Sequence, residues 1–253
     1  MSRAGRAAVV VGGTSGMGLA IAEQLVADGV RVIVTGRREE SVAGAARTLG
    51  EAARVVRSDA TVPADRADLT RLAQETFGTI DALFVNVGAA LPESMGEVTE
   101  QSWDHLFDVT VKGPFFVAQG LLPLVRPGGG AVFTTLTTAT AAASTSVVLA
   151  AKGALRELAR GLAAETVTTG VRVNTIAPGY IEPSTAGSAT ATEEQRAAEQ
   201  AEWSTYTPMG RLASPQEMAR AAIFLALDAT FSTGIELLAD GGLASIDPPE
   251  PTA

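Results

Sequence analysis

Val11-Gly12-Gly13-Thr14-Ser15-Gly16-Met17-Gly18 stands between a β-branched apolar run and a helix-periodic one. Ahead of it, Arg6-Ala7-Ala8-Val9-Val10-Val11 reads as a buried strand. Behind it, from Met17 to Ala27, apolar residues recur at helical spacing as Leu19, Ile21, Ala22, Leu25 and Val26. Strand, glycine turn, helix is the layout of a dinucleotide-phosphate cradle. Glycines let the backbone turn tightly and approach a ligand. The helix N-terminus presents unpaired N–H groups and a partial positive charge to a pyrophosphate. The spacing here is Gly12-x-x-x-Gly16-x-Gly18 rather than G-x-G-x-x-G. A tight connection without a ligand would use the same residues, so the turn has to be weighed with the rest of the chain.

Working outward, strand and helix patterns alternate. Arg31–Thr35, Ala53–Arg57, Asp81–Val85, Ala131–Leu136, Val171–Ile176 and Ile235–Ala239 read as further strands. Between them, Glu39–Leu49, Pro63–Phe77, Glu100 to about Val125, Val147–Thr168 and Pro215–Leu227 read as helices, Pro63 sitting at a first turn and Thr99 at a cap. Residues 183–210 are polar and rich in small residues, with helical character around Glu193–Glu202, and suit a loop over a substrate. Residues 245–253, with Pro248, Pro249 and Pro251, suit a flexible tail. No linker-like composition divides the chain, so residues 1–253 are expected to form one domain. The expected fold is α/β: a doubly wound, seven-stranded parallel sheet with helices on both faces. Such sheets bind ligands at the carboxyl ends of their strands, where Gly12–Gly18, Gly36-Arg37, Asp59, Asn86–Gly88, Thr134–Thr138 and Pro178-Gly179 all fall.

Composition narrows the function. The 253 residues are 46% hydrophobic and 19% charged, enough for one sizeable core. Nineteen Lys and Arg against 28 Asp and Glu give −9, the wrong sign for a nucleic-acid partner. No run of 18 apolar residues predicts a membrane span, and no cationic-then-apolar leader opens the chain, so the expected location is the cytoplasm. With no cysteine, thiolate catalysis and disulfides are excluded. One histidine, His105, leaves no room for a His-rich metal site, and no metal is expected.

The motifs in order resemble the short-chain dehydrogenase/reductase family, over about Arg6 to Leu243. The family's T-G-x-x-x-G-x-G corresponds to Val11–Gly18 and its N-N-A-G to Val85-Asn86-Val87-Gly88. R-V-N-x-x-x-P-G is Arg172–Gly179, P-x-G-R-x-x-x-P-E-E/D is Pro208–Glu217, and D-G-G is Asp240–Gly242. The resemblance implies a nicotinamide cofactor held by Gly12, Thr14, Ser15, Gly16, Met17 and Gly18. It further implies Asp59 and Ala60 at the adenine, Asn86 and Gly88 at the adenosine ribose, and Lys152, Pro178, Gly179 and Ile181 toward the nicotinamide. NAD users of the family commonly end the second strand in an acidic residue. Here that place is Gly36, followed by Arg37 and Arg38, whose guanidinium groups suit a 2′-phosphate, so NADP(H) is expected.

The catalytic motif departs from the family pattern. Y-x-x-x-K would require tyrosine where Val148 stands, four residues before Lys152. The family's serine falls on Thr135 counted from Lys152, or on Thr137 counted from the strand. Its helix-four asparagine falls on Thr110, and the threonine after P-G-x-I-x on Pro183, with Ser184 and Thr185 next. In the family the tyrosine moves the proton, the lysine lowers its pKa and holds the ribose, and the serine hydrogen-bonds the substrate oxygen. A positioned acid is typically worth about 10²–10⁴ in rate, whereas holding the reactants together is worth up to about 7–11 kcal/mol. Losing the tyrosine therefore removes the expected acid without by itself abolishing reduction. Lys152 or a water on it, Tyr180, Tyr206 and His105 are the groups left to consider, with Thr135 or Thr137 as substrate donors. Tyr180 equally suits a pocket lining, and His105 a surface or subunit contact.

The expected function is an atypical NADPH-dependent oxidoreductase acting on a ketone or activated double bond of a small, fairly apolar molecule. A non-redox enzyme (a dehydratase, isomerase or cyclase) or a non-catalytic cofactor-binding subunit remains the alternative. The resemblance also implies a homotetramer or homodimer.

Overall fold

The computed structural model describes residues 3–89, 92–137, 143–182 and 192–246. Of the expected covering loop, residues 183–191 lie outside the described residues, as do Thr138 and residues 247–253 of the tail.

Seven strands pair in parallel: β1 (Ala7–Val11), β2 (Arg31–Gly36), β3 (Ala53–Arg57), β4 (Ile80–Val85), β5 (Val125–Thr134), β6 (Arg172–Pro178) and β7 (Glu236–Ala239). Their order is β3-β2-β1-β4-β5-β6-β7, so the chain reverses direction across the sheet between β1 and β4. Alternate side chains point to opposite faces. Ala8, Val10, Val32, Val34 and Phe84 pack with α1 (Gly16–Ala27), α2 (Glu39–Leu49) and α8 (Pro215–Ile223). Val9, Val11, Ile33, Leu83 and Val85 pack with α3 (Pro63–Phe77), α5 (Gly113–Leu121) and α6 (Ser146–Thr166). A sheet buried on both faces explains why the strands read as unbroken apolar runs. Two helices complete the set, α4 (Glu100–Phe107) and α7 (Glu193–Tyr206).

Three expected elements differ in detail. The helix read from Glu100 to about Val125 is α4, a π-helical turn at Asp108–Lys112, α5, and a 3₁₀ turn at Leu122–Leu124. Pro114 has no N–H to give the ladder, and a side chain at Gly113 would come within 3.0 Å of the Ala60 carbonyl, so the helix is re-routed there. The second long helix likewise ends in a π turn at Phe224–Asp228. Arg172 reaches this turn from β6 and donates to the carbonyls of Leu225 (2.7 Å), Ala226 (2.6 Å) and Ala229 (2.9 Å). Strand β5 begins at Val125, earlier than Ala131, because Val125 pairs with Ile80 before a register shift; pairing overrides the turn signal of Pro127-Gly128-Gly129.

Candidate functional site

The carboxyl ends of β1 and β4 flank the reversal point, and a cavity of about 350 Å³ opens there. Gly12 sits at φ +77°, and a Cβ on it would come within 2.3 Å of the Asn86 carbonyl oxygen. A Cβ on Gly18 would reach within 2.1 Å of the Gly12 oxygen. Only glycine fits either place, which lets the turn fold flat against the strand ends. Asn86 fixes it: its N–H donates to Val11 O (2.8 Å) and its side-chain amide to Gly12 O (3.2 Å). Helix α1 then starts with Ser15 as N-cap and no side-chain cap hydrogen bond, leaving its first-turn N–H groups for an anion.

Around this cradle the cavity is lined by Gly12, Thr14, Ser15, Arg37, Arg38, Asp59, Ala60, Asn86 and Gly88. Nine of the sequence-expected cofactor residues therefore converge on one space. Met17 is buried in the core and Gly18 lies beneath the turn, so both shape the cradle from below. Arg37 and Arg38 are exposed, and neither forms an ion pair among the described residues. Two free guanidinium groups at the rim of a phosphate cradle fit a further phosphate. Burial raises the Asp59 carboxyl, but hydrogen bonds from Thr61 N (2.9 Å) and Thr61 Oγ1 (2.7 Å), with the charges of Arg37 and Arg57, outweigh it. The group is held below the usual carboxylate range as a fixed acceptor at the cavity edge. The donor set, the cradle and the free arginines together fit a phosphorylated dinucleotide. No cluster of metal-ligating side chains occurs among the described residues.

Sequence reasoning did not assign several lining groups to the cofactor space, Ser58, Thr61 and Ala89 among them, and weighed His105 only as a proton donor or surface contact. Ser41 sits beside Arg38, and His105 and Val109 reach the cavity from α4 and the turn after it. His105 and Val109 are four residues apart, so one helix face presents both; that spacing is the signal that was available.

Behind Gly88 lies Lys152. A Cβ on Gly88 would approach its Nζ to 2.7 Å. The Nζ donates to Thr134 O (3.2 Å), and no carboxylate pairs with it among the described residues. Burial pushes its pKa down to about 8. One helical turn before it, Val148 is buried with Ala151 and Leu106, and Leu136, Val111 and Ala89 pack on them. Thr110 is fully buried on the π turn, its hydroxyl accepting from Ala89 N (3.3 Å).

The two threonines proposed as substrate donors face elsewhere. The Thr135 hydroxyl donates to Glu236 Oε1 (2.7 Å), with Ile176 O as the alternative acceptor at 3.0 Å, and Thr137 donates to Asp240 Oδ2 (2.9 Å). Both are buried and bind the β5 end to β7 across β6. Leu136, between them, takes the side toward Val148. Pro178 and Gly179 continue β6 against Ala239, and Ile181 bridges to Ala213. Tyr180 lines a second cavity of about 400 Å³ with Met209, Met218 and Leu238. It stacks on Trp203 (5.6 Å), with Tyr206 at 6.3 Å.

Comparison with known proteins agrees with this geometry. The family model described as Enoyl-(Acyl carrier protein) reductase matches residues 11–244. Oxidoreductase asL5 of Sarocladium schorii is 34% identical, over 96% of this chain and 97% of its own. The NADP-dependent (R)-specific alcohol dehydrogenase of Lentilactobacillus kefiri is 32% identical, over 94% and 96%. Cis-4-hydroxycyclohexanecarboxylate dehydrogenase of Sinomonas cyclohexanicum is 34% identical, over 95% and 97%.

Proposed function

The chain belongs to the short-chain dehydrogenase/reductase family of oxidoreductases, and from that premise we propose that it is an NADPH-dependent reductase of a ketone or activated double bond in a small, fairly apolar molecule. The observation that carries this is the cavity at the β1 and β4 ends, with Arg37 and Arg38 at its rim outside any ion pair among the described residues and the Lys152 ammonium behind Gly88, which lines it. When bound, NADPH supplies a hydride. Gly12, Thr14, Ser15 and Gly16 hold the pyrophosphate on the α1 N-terminus, and Arg37 and Arg38 hold the 2′-phosphate. Asp59 and Ala60 bound the adenine, and Asn86 and Gly88 the ribose. Pro178, Gly179 and Ile181 line the nicotinamide end. The NADP-dependent relative supports the choice of phosphate form.

Proton delivery is the unusual part. Val148 stands at the position of the family's tyrosine and transfers no proton. Lys152 takes the role, holding the ribose and giving a proton to a developing oxyanion directly or through water. A pKa of about 8 makes it a better acid than an exposed lysine, while it stays mostly charged at pH 7. Tyr180 is a weaker choice, because its ring is stacked beside the second cavity. The resemblance and the small-residue face of α6 support assembly as a homotetramer or homodimer; light scattering that gives a monomer at micromolar concentration contradicts it. No described helix is long and apolar enough to cross a membrane.

Following NADPH consumption against a panel of ketones and enones tests the function. Wild type is expected to turn over part of the panel, and Lys152→Ala to lose at least tenfold in kcat/KM. An inert protein that nonetheless binds NADPH would instead favour a non-redox enzyme or a binding subunit.

A further inference from the structure

Two walls face each other across the cavity at the reversal point. Arg37, Arg38 and Ser41 follow β2 on one side of β1, and α4 follows β4 on the other. The α4 wall presents His105 and Val109, one turn apart on a shared helix face. About two turns past His105, Gly113 lies against the Ala60 carbonyl, and between them Thr110 meets Ala89 N. The helical run thus descends into the cavity, and the exposed His105 stands at its mouth. His105 is the one histidine of the chain, the side chain type that changes charge between pH 5 and 8. Charged groups surround it on several elements. Asp104 is its neighbour, and Asp108, one turn on, is tied to Lys112 (3.0 Å). From α6, which packs on α4, come Lys152 and Arg156, the latter paired with Glu157 and Glu236. Arg37, Arg38 and Asp59 share the cavity lining with it.

We infer, resting on the cofactor proposal above, that His105 is a pH-responsive clamp on the part of the dinucleotide common to NADPH and NADH. The 2′-phosphate belongs to the β2 side, with Arg37 and Arg38. His105 serves the β4 side, where its imidazolium adds positive charge facing the adenosine and pyrophosphate. Bound negative charge holds the imidazole proton in turn, so binding takes up a fraction of a proton and weakens as pH rises through the histidine range. The exposed position keeps the effect to about threefold to fivefold. His105 takes no part in hydride transfer. Rising pH therefore loosens capture of the cofactor through this residue and leaves the chemical step to Lys152.

The test titrates the whole protein by calorimetry with NADP⁺ and NAD⁺, the acid-stable oxidised forms, at pH 5.5, 6.5 and 7.5. Wild type is set against His105→Gln, which keeps a polar side chain without the charge. The ratio of the two Kd values at each pH cancels the ionisation of the 2′-phosphate near pH 6 and of Lys152, which both proteins share. Wild type is expected to bind more tightly at pH 5.5, and the ratio to change by at least about threefold by pH 7.5, equally for both nucleotides. His105→Lys, charged throughout, is expected to hold NAD⁺ as tightly at pH 7.5 as at pH 5.5. A ratio that stays flat with pH overturns the proposal. So does a change confined to NADP⁺, which would put His105 at the 2′-phosphate, or a His105→Lys protein that weakens with pH as wild type does. Folded protein that binds neither nucleotide at any pH overturns instead the cofactor proposal beneath it.

Discussion

Lys152 is the residue whose environment reports most on function. Burial without a carboxylate favours its neutral form, so its pKa falls from 10.5 to about 8 in the fold. Between those values the unfolded chain binds more protons than the folded one, and stability therefore rises with pH from about 8 to 10.5. Below pH 8 the full cost is present; at about 1.4 kcal/mol per tenfold in proton affinity it is roughly 3 kcal/mol. Lys152→Met is accordingly expected to raise stability at pH 7 by about 1–3 kcal/mol, with the gain fading toward pH 10.5. Denaturant unfolding across that range checks it, and a pH-independent difference contradicts it. Arg37 is the second informative residue. A charge-assisted hydrogen bond is worth about 1.5–3 kcal/mol, so Arg37→Ala should weaken NADPH roughly 10–100-fold in Kd while leaving NADH nearly unmoved. Isothermal titration with each nucleotide reads this directly.

At the scale of elements, the end of β5 shows where sequence reasoning stops. The motifs fixed the strand and its neighbourhood. They could not fix which side chain faces the pocket, because a shift of one residue along a strand sends every side chain to the opposite face. Counting from Lys152 chose Thr135 and counting from the strand chose Thr137; both share the face turned to β7. Leu136, which the pattern gave no reason to single out, faces Val148. Thr137→Val removes the buried donor to Asp240, whose carboxylate keeps the Gly242 and Ala244 N–H groups among the described residues. The expected cost is about 1–2 kcal/mol, read as a lower denaturant midpoint at unchanged slope. Arg172 was legible only as part of a motif. Its work at the end of the π turn depends on contacts more than 50 residues away along the chain, beyond the reach of local pattern. His105 was weighed as a proton donor or a surface contact and not as a cavity lining, for the same reason: what brings α4 to the cavity is its packing on α6 and the adjoining turn.

For the whole molecule, the fold was the most legible property. Seven β-branched runs separated by helical periods admit few arrangements once crossovers are right-handed and helices must cover both faces. The parallel sheet with two packed faces follows from that pattern, and so does a ligand groove at the strand ends; the strand order comes from the structure. Phe133, fully buried, is a sensitive point of the sheet face packed by α3, α5 and α6. Phe133→Ala is expected to cost about 3–5 kcal/mol, visible as a marked fall in Tm. The chemistry carried by the groove was less legible, because the family motif offered no tyrosine or serine to assign at the places read as Val148 and Thr135 or Thr137. The proposed preference for the phosphorylated dinucleotide rests on the groove at the β1 and β4 ends, with Arg37 and Arg38 exposed at its rim.

Titrating the whole protein with NADPH and with NADH, following the fluorescence of Trp103 and Trp203, tests that claim most directly. The expected result is saturable binding of both, with NADPH tighter by at least tenfold. Absence of NADPH binding, or tighter binding of NADH, would contradict it.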